Sequence, residues 1–487
     1  MSYCGYVTTL TNVRKHPNAD RLLLADVFRT VVCVSLDYTE GQVGVYLPVD
    51  GQVSVEFGEK NNLLRKKDEN GNNVGGYMDP EKRNIKAIAL RGEKSDGLFL
   101  PLSCLDYCFE DGDASKHLSI GDTITVVNGH EICEKYIPKR AGRTSAGGAG
   151  TRAHRRAKRS IAPTFFEHAD TEQLAYNQSA FKPGDEVEIT LKMHGTSQRT
   201  AYVPVLQEDK FNLQDHEFKS LFLKILPKGK LRDRLIEKWC QPVYAYGDVT
   251  GTRRVVLDTY DGGFYGSNEF REQHAKVFEG KLWKGETVYY EVVGFTHTGT
   301  PIMAEVSNSK VNDKNFTKQY GKTTVFSYGC VPDGYRMLFG EDNEGVFSIP
   351  VETPQSDIYV YRMTMTNEDG EVVEYTPDFM RYRCEMMGVK TVPVLWKGTI
   401  PEYPGSSSDD TITAGEWITN VAEQFYDGPD PVGKTHIREG VVVRILNRPK
   451  FTAYKHKNFN FKVIEGIAKD TAEAPDMEEA QEMQDDN

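Results

Sequence analysis

Four apolar runs with strand character lie far apart in the chain, and each carries charge where an ordinary buried strand would carry none. They are DEVEITLKMHGTSQR (185–199), ETVYYEVVGF (286–295), DIYVYRMTM (357–365) and REGVVVRIL (438–446). An unpaired charge inside a packed sheet is expensive, so these side chains must meet one another or a shared anionic ligand. The strands are separated by helical stretches, which predicts an α+β domain of antiparallel sheets flanked by helices. One helix is expected after Thr376, which can cap it with Pro377 in the first turn, ending near Met387 with Gly388 beyond. Others are expected from SLFLKIL to EKWC (220–240) and over GEWITNVAEQFY (415–426).

The first 138 residues read differently. Short apolar runs such as VVCVSLDY, GQVGVYLPVDGQV and IKAIALRGEKSDGLFLPL are punctuated by Gly, Asn, Asp and Pro, which predicts a small closed or nearly closed β-barrel. Within it, HPNADRLLLADV (16–27) resembles the signature of OB-type tRNA-binding modules attached to synthetases; its plainer reading is a turn before a strand. Residues 139–163 are expected to form a flexible linker, with Lys139, Arg140, Arg143, Arg152, Arg155, Arg156, Lys158 and Arg159 around a Gly/Ala/Ser core. Those charges could follow a phosphate backbone or simply be solvated. Residues 164–466 form the second domain, and 467–487 an acidic tail expected to be disordered. Residues 470–487 carry −8 of the net charge of −12, so the body is only mildly acidic and the overall charge does not exclude a nucleic-acid partner.

With 487 residues, two domains are expected. The eight scattered cysteines suit reduced thiols in the cytoplasm, and the Cys104/Cys108 pair, with no second pair to complete a zinc site, reads as buried free cysteine. No apolar run approaches a membrane span, and the N-terminus lacks the pattern of a secretion signal.

The motifs KMHGTS, YYEVVGF, YVYR and EGVVVR, followed by FKV (461–463), occur in one order. In that order they resemble motifs I, III, IIIa, IV and V of the covalent nucleotidyltransferases, the superfamily of ATP-dependent ligases and mRNA capping enzymes. The usual first motif is KxDG. Histidine followed by Thr-Ser is similar to the RNA ligase 2 group and to the Deinococcus-type RNA ligases, which carry an N-terminal OB-like module.

The resemblance implies that Lys192 attacks the α-phosphate of ATP, giving a lysyl-AMP phosphoramidate. The amine must be neutral to attack, a state that nearby cations and partial burial favour. Gly195 would let the backbone pass closely beneath the nucleotide. His194 is suited to orient or protonate phosphate, and Thr196 or Ser197 to hydrogen-bond ribose; in isolation these three read as turn chemistry. The resemblance further implies that Glu291 accepts from the ribose, Glu439 holds Mg2+ or Mn2+, and Lys462 contacts the AMP phosphate. Arg253 would contact phosphate, with Arg254 as the alternative. Tyr359 and Tyr361 share a strand face, and one of them, or Phe326, could stack on adenine. Lys455 and Lys457 read as contacts to nucleic-acid phosphate or to solvent.

The function implied is an ATP- and metal-dependent RNA ligase that transfers AMP to a 5'-phosphate and seals it to a 3'-OH at a nick in duplex RNA or an RNA/DNA hybrid. A monomer without membrane association is expected. The competing readings are a catalytically inactive RNA- or tRNA-binding protein and a capping-type guanylyltransferase. Retention of Lys192, Glu291, Glu439 and Lys462 argues against the first, and the HGTS sequence against the second.

Overall fold

Residues Glu186–Leu191 alternate as a strand does, and in the computed structural model Val187, Ile189 and Leu191 all point into the core, while Glu188 between them is buried against Arg381. The model describes residues 3–470 apart from 137–160, 213–216, 258–268, 333–352, 405–411 and a few shorter stretches. The basic linker up to residue 160 and the acidic tail beyond residue 470 therefore lie outside the described residues, as does Arg254; of the linker's last residues, Ala162 is buried with Val203 and Val249, so the domain begins slightly before residue 164.

The elements that build the site are, in chain order, β1 (Ala87–Leu90), β2 (Glu93–Asp96), β3 (Glu186–Leu191), β4 (Thr196–Asn212), β5 (Gln241–Thr252), β6 (Glu286–Gly294), β7 (Ser356–Thr366), α1 (Pro377–Met387), β8 (Val394–Thr399), α2 (Ala414–Glu423), β9 (Gly440–Ile445), β10 (Thr452–Lys457), α3 (Phe459–Glu465) and β11 (Ala468–Asp470). A five-stranded sheet runs Glu172–Gln173, β10, β9, β3, β8. A seven-stranded sheet runs Val256–Leu257, β5, β4, β6, β7, Val372–Glu374, with Lys390–Thr391 added alongside β7. Nearly all pairings are antiparallel; Glu172–Gln173 on β10 and Lys390–Thr391 on β7 are parallel.

The chain passes from one sheet to the other through Lys192–Gly195, so the lysine motif is the crossover between them. Each sheet buries its own helix. Val187, Ile189, Val441 and Val443 pack on Ile418 and Ala422 of α2, while Val288, Tyr290, Val292 and Val360 pack on Met380, Cys384 and Met387 of α1. The expected ends of α1 are present: the Thr376 side chain accepts from the Phe379 amide, and Gly388 closes the helix with φ of 72°. The helix expected across 220–240 is described as Glu217–Ile225, its later part falling largely outside the described residues.

The N-terminal strands form several small sheets. One has four strands (Leu98–Pro101, Val43–Leu47, Gly5–Thr9, Thr123–Ile124) and another three (Thr11–Lys15, Leu22–Val27, Thr30–Ser35). Among the described residues these do not close, which corrects the expectation of a closed barrel. HPNAD does make a turn before a strand, and its side chains are used internally. His16 is buried with Nε2 3.1 Å from the Leu90 carbonyl, and Asn18 donates to the Arg91 carbonyl at 2.8 Å, so the motif braces the β1–β2 hairpin. Cys104 and Cys108 are buried and free. No helix among the described residues is long and apolar enough to cross a membrane.

The N-terminal part is continuous with the rest. Val49 and Ala87 share a core with Leu191, Met193, Val293 and Phe461. The chain after α3 returns as β11 to pair in parallel with β1, so the tail expected from residue 467 begins with a structured return.

The seven-stranded sheet is pinned to α1 by an ion pair. Arg383 donates to Glu286 through Nε at 2.8 Å and Nη2 at 2.7 Å, and Tyr375 adds a third hydrogen bond at 3.0 Å. Both charged side chains are buried. Glu286→Ala would strand the guanidinium and is expected to cost ~3–5 kcal/mol in chemical denaturation. A loss below ~1 kcal/mol would show that the pair does not hold α1.

Candidate active site

β3 ends at Leu191, and the next amide, that of Lys192, donates to the carbonyl of Gly440 at 3.0 Å. Gly440 opens β9, so this hydrogen bond sets Lys192 beside Glu439. Lys192 Nζ lies 2.6 Å from Glu439 Oε1. The antiparallel register also places Lys457 opposite Gly440, and Lys457 Nζ reaches the same oxygen at 3.1 Å. Gly440 has φ of 145°, and a Cβ there would fall 2.1 Å from the His456 carbonyl, so β10 can come this close only to glycine.

Glu439 is only 2% exposed. Burial alone would raise its carboxyl, but Lys192, Lys457 and His194 outweigh that and hold it well below the usual carboxylate range. Its two oxygens have different neighbours. Oε1 takes both ammonium groups; Oε2 makes no hydrogen bond among the described residues and faces His194 Nδ1 at 3.5 Å. Glu465 on α3 divides in the same way, with Oε2 accepting from Lys457 at 2.9 Å and Oε1 lying 3.7 Å from His194 Nδ1. Three potential ligand atoms from His194, Glu439 and Glu465 thus lie within 4.8 Å of one another. This donor set fits a divalent cation. His194 is held in place by Phe326 and Phe461, whose rings meet it edge-on at 4.5 and 4.8 Å, and by its amide donating to the Tyr328 hydroxyl at 2.7 Å.

Beside this cluster, a cavity of about 530 Å³ opens between the two sheets. Lys192, Gly195, Thr196, Ser197, Glu291 and Arg253 line it together with Tyr361, Met380, Val442 and Phe451. Ser197 and Glu291 are paired across β4 and β6, and Tyr359 stands opposite Glu291 on β7. The register slips at Tyr289/Tyr290, leaving Tyr361 as the extra residue of a bulge. Such a bulge re-aims a side chain, and here Tyr361 enters the cavity with its hydroxyl 3.0 Å from Ser197 Oγ. Thr196 Oγ1 accepts from Arg271 at 2.6 Å. Burial pushes the Glu291 carboxyl up to about 7, against the opposing pull of Lys192.

The structure therefore brings together Lys192, Gly195, Thr196, Ser197, Arg253, Glu291 and Tyr361 around the cavity, with His194 and Glu439 alongside. It separates three other residues from it. Tyr359 is buried in the junction core with its hydroxyl toward Asp357 at 3.5 Å, and Phe326 packs on His194; neither lines the cavity. Lys462 is turned away on α3, its Nζ 2.6 Å from Asp96. The lysine at the cluster is Lys457, for which the sequence suggested only nucleic acid or solvent. The close neighbour that requires Gly195 is the Val292 carbonyl, 2.4 Å from where a Cβ would stand.

Sequence reasoning missed Glu465 and His168. Glu465 lies one helical turn after Lys462, a spacing that carries no signal by itself. His168 lines the cavity wall, with Nδ1 3.2 Å from Arg362 Nη1 and its ring edge-on to Tyr361. Burial and then Arg362 hold its pKa well below the ordinary imidazole value, so it stands neutral among arginines.

No family model and no curated protein matches the sequence. Solved structures do match in fold. A point-mutant form of Naegleria gruberi RNA ligase with ATP and Mn has a TM-score of 0.51 at 15% identity, covering 96% of this chain and 99% of that one. The same ligase with PPi gives 0.50 at 15%, covering 94% and 97%, and another mutant with AMP and Mn gives 0.50 at 15%, covering 93% and 96%. The chain thus shares a fold with an RNA ligase along almost its whole length, the N-terminal part included.

The raised Glu291 carboxyl sets a pH dependence. An acid whose folded-state pKa lies above its unfolded value loses stability as pH rises from the unfolded value to the folded one, because the unfolded chain ionises there while the buried group stays protonated. Glu291→Gln mimics the protonated acid, so its Tm should exceed that of the wild type by a few degrees at about pH 8.5 and match it at about pH 5. Equal differences at both pH values would remove the titration from Glu291.

Proposed function

We propose that the protein is an ATP-dependent RNA ligase working through a lysyl-AMP intermediate. The observation that carries this reading is Lys192 standing at the edge of a nucleotide-sized cavity, in contact with Glu439 and flanked by Lys457. The fold shared with a ligase solved with ATP, AMP and PPi supports it.

The roles follow from position. Lys192 loses a proton, its Nζ forms a bond to the α-phosphorus of ATP, and the bond to pyrophosphate breaks. The amine attacks as the free base, so its proton must leave to solvent before the bond forms. A cation held by His194, Glu439 and Glu465 would draw Glu439 away from Lys192 and would supply positive charge to the phosphates. Lys457 stabilises the charge that develops on the α-phosphate. Glu291 and Ser197 accept or donate to ribose, Arg253 meets phosphate, and Tyr361 stacks on the base. AMP then passes to a 5'-phosphate end of RNA, and a 3'-OH displaces it to join the strands.

Incubation with α-labelled ATP and Mn2+ or Mg2+ is expected to label wild-type protein on a denaturing gel and leave Lys192→Ala unlabelled. Absence of label in the wild type, or its persistence in the variant, would overturn the reading. Parallel labelling with GTP separates it from a guanylyltransferase.

Imidazole suits Mn2+ better than Mg2+. Titration of Mn2+ into nucleotide-free protein, followed by the EPR signal of the free ion, should show a site that His194→Ala weakens by roughly 10-fold or more. Unchanged affinity in that variant would exclude His194 as a ligand.

A further inference from the structure

The β1–β2 hairpin of the N-terminal part touches α3 in three ways and the chain beyond it in a fourth. Asp96 Oδ2 accepts from Lys462 Nζ at 2.6 Å. Lys94 Nζ sits 4.3 Å from the centre of the Phe459 ring. Ala87 packs in one core with Phe461 and Ile464. The chain leaving α3 then returns as β11, pairing Ala468 with Ala87, Lys469 with Ile88 and Asp470 with Ala89. One hairpin therefore holds this short helix from its first residue to beyond its last turn.

The contact at Asp96 is built as an anchor. Both partners are mostly buried, at 16% and 13% side-chain exposure. The Asp96 carbonyl is itself fixed by the Tyr46 hydroxyl at 2.6 Å, and Tyr46 is fully buried. Among the described residues Asp96 Oδ1 is buried without a hydrogen-bond partner, and the carboxylate is committed through Oδ2 to Lys462. Breaking such a pair leaves an uncompensated charge. Lys462 lies one helical turn before Glu465, and Glu465 is the residue through which α3 reaches Lys457 and faces His194.

We propose that Asp96 is a positioning residue of the active site: through Lys462 it fixes the place of α3 and thereby the distance of Glu465 from His194 and Glu439. This inference rests on the ligase reading for its consequence in catalysis and on the structure alone for its geometry. It gives the N-terminal part a duty in the first chemical step, where the sequence suggested only the handling of nucleic acid.

The test compares full-length wild type, Asp96→Asn, Lys462→Met and the double variant, with Asp96→Glu as the conservative control. Two quantities are read: Mn2+ affinity of the nucleotide-free protein, and the Mn2+ concentration giving half-maximal lysyl-AMP formation. Each single variant is expected to weaken both by roughly 10-fold. The double variant should be no worse than the singles, because both act through one contact, and Asp96→Glu should restore much of the loss. KM for ATP at saturating metal should change little, since neither residue lines the cavity.

Metal affinity in Asp96→Asn equal to that of the wild type, or losses in the two singles that simply add, would overturn the proposal. A variant whose Tm falls while its metal affinity stays intact would assign the pair to stability only and would overturn it as well. Wild-type protein that forms no lysyl-AMP would sink the ligase reading, leaving the metal-affinity comparison to judge this inference independently.

Discussion

A single buried carboxylate organises the centre of this molecule. Glu439 could not remain ionised at 2% exposure without compensation, and Lys192 and Lys457 supply it on one oxygen. The requirement is exacting because the three residues come from three strands that must be in register. β3 delivers Lys192, the start of β9 delivers Glu439 and the end of β10 delivers Lys457. A slip of one residue in either pairing would send the side chain to the opposite face and leave a charge alone in the core.

The second constraint is the crossover at Lys192–Gly195. Since the chain leaves one sheet and enters the other within four residues, whatever is placed on those residues is presented to the cleft between the sheets. Gly195 permits it by lying against the Val292 carbonyl, and the bulge at Tyr361 brings an aromatic ring into the cavity beside Ser197. The cavity is a product of sheet geometry, and Glu188, Thr196, Ser197, Glu291 and Tyr361 around it are carried on strands, which hold them more rigidly than loops would.

The strands and the site's principal residues were legible because charge inside an apolar run is a local anomaly. Glu291, Glu439 and Lys192 each stood out in this way, and the structure brings all three to one place. The ends of α1 were readable from Thr376, Pro377 and Gly388, whose effects are confined to one turn. The errors arose where the answer depended on partners remote in sequence. Lys462 and Lys457 both look like lysines near an aromatic residue. Only the register of β10 against β9 tells that Lys457 faces Glu439 and that Lys462, on the helix beyond, faces Asp96. The alternation of Lys455 and Lys457 on one strand face was the available signal. Tyr359 and Tyr361 share a face as expected, yet the bulge admits only Tyr361 to the cavity, and sequence periodicity does not report a bulge. The closed barrel failed for a related reason: alternation identifies strands but does not state which edges meet.

The return of β11 onto β1 also orders events in time. Asp96 and Lys462 are 366 positions apart, so during synthesis the hairpin must wait, with its Asp96 carboxylate and the row of β1 backbone groups uncovered, until almost all of the described chain has emerged. Contacts between distant segments form late because closing so long a loop is entropically unfavourable until other structure has shortened it. The charge cluster around His194 is completed by the same late helix. A partly made chain can therefore hold both sheets and the cavity while lacking Glu465, and the last helix to fold is the one that finishes the site.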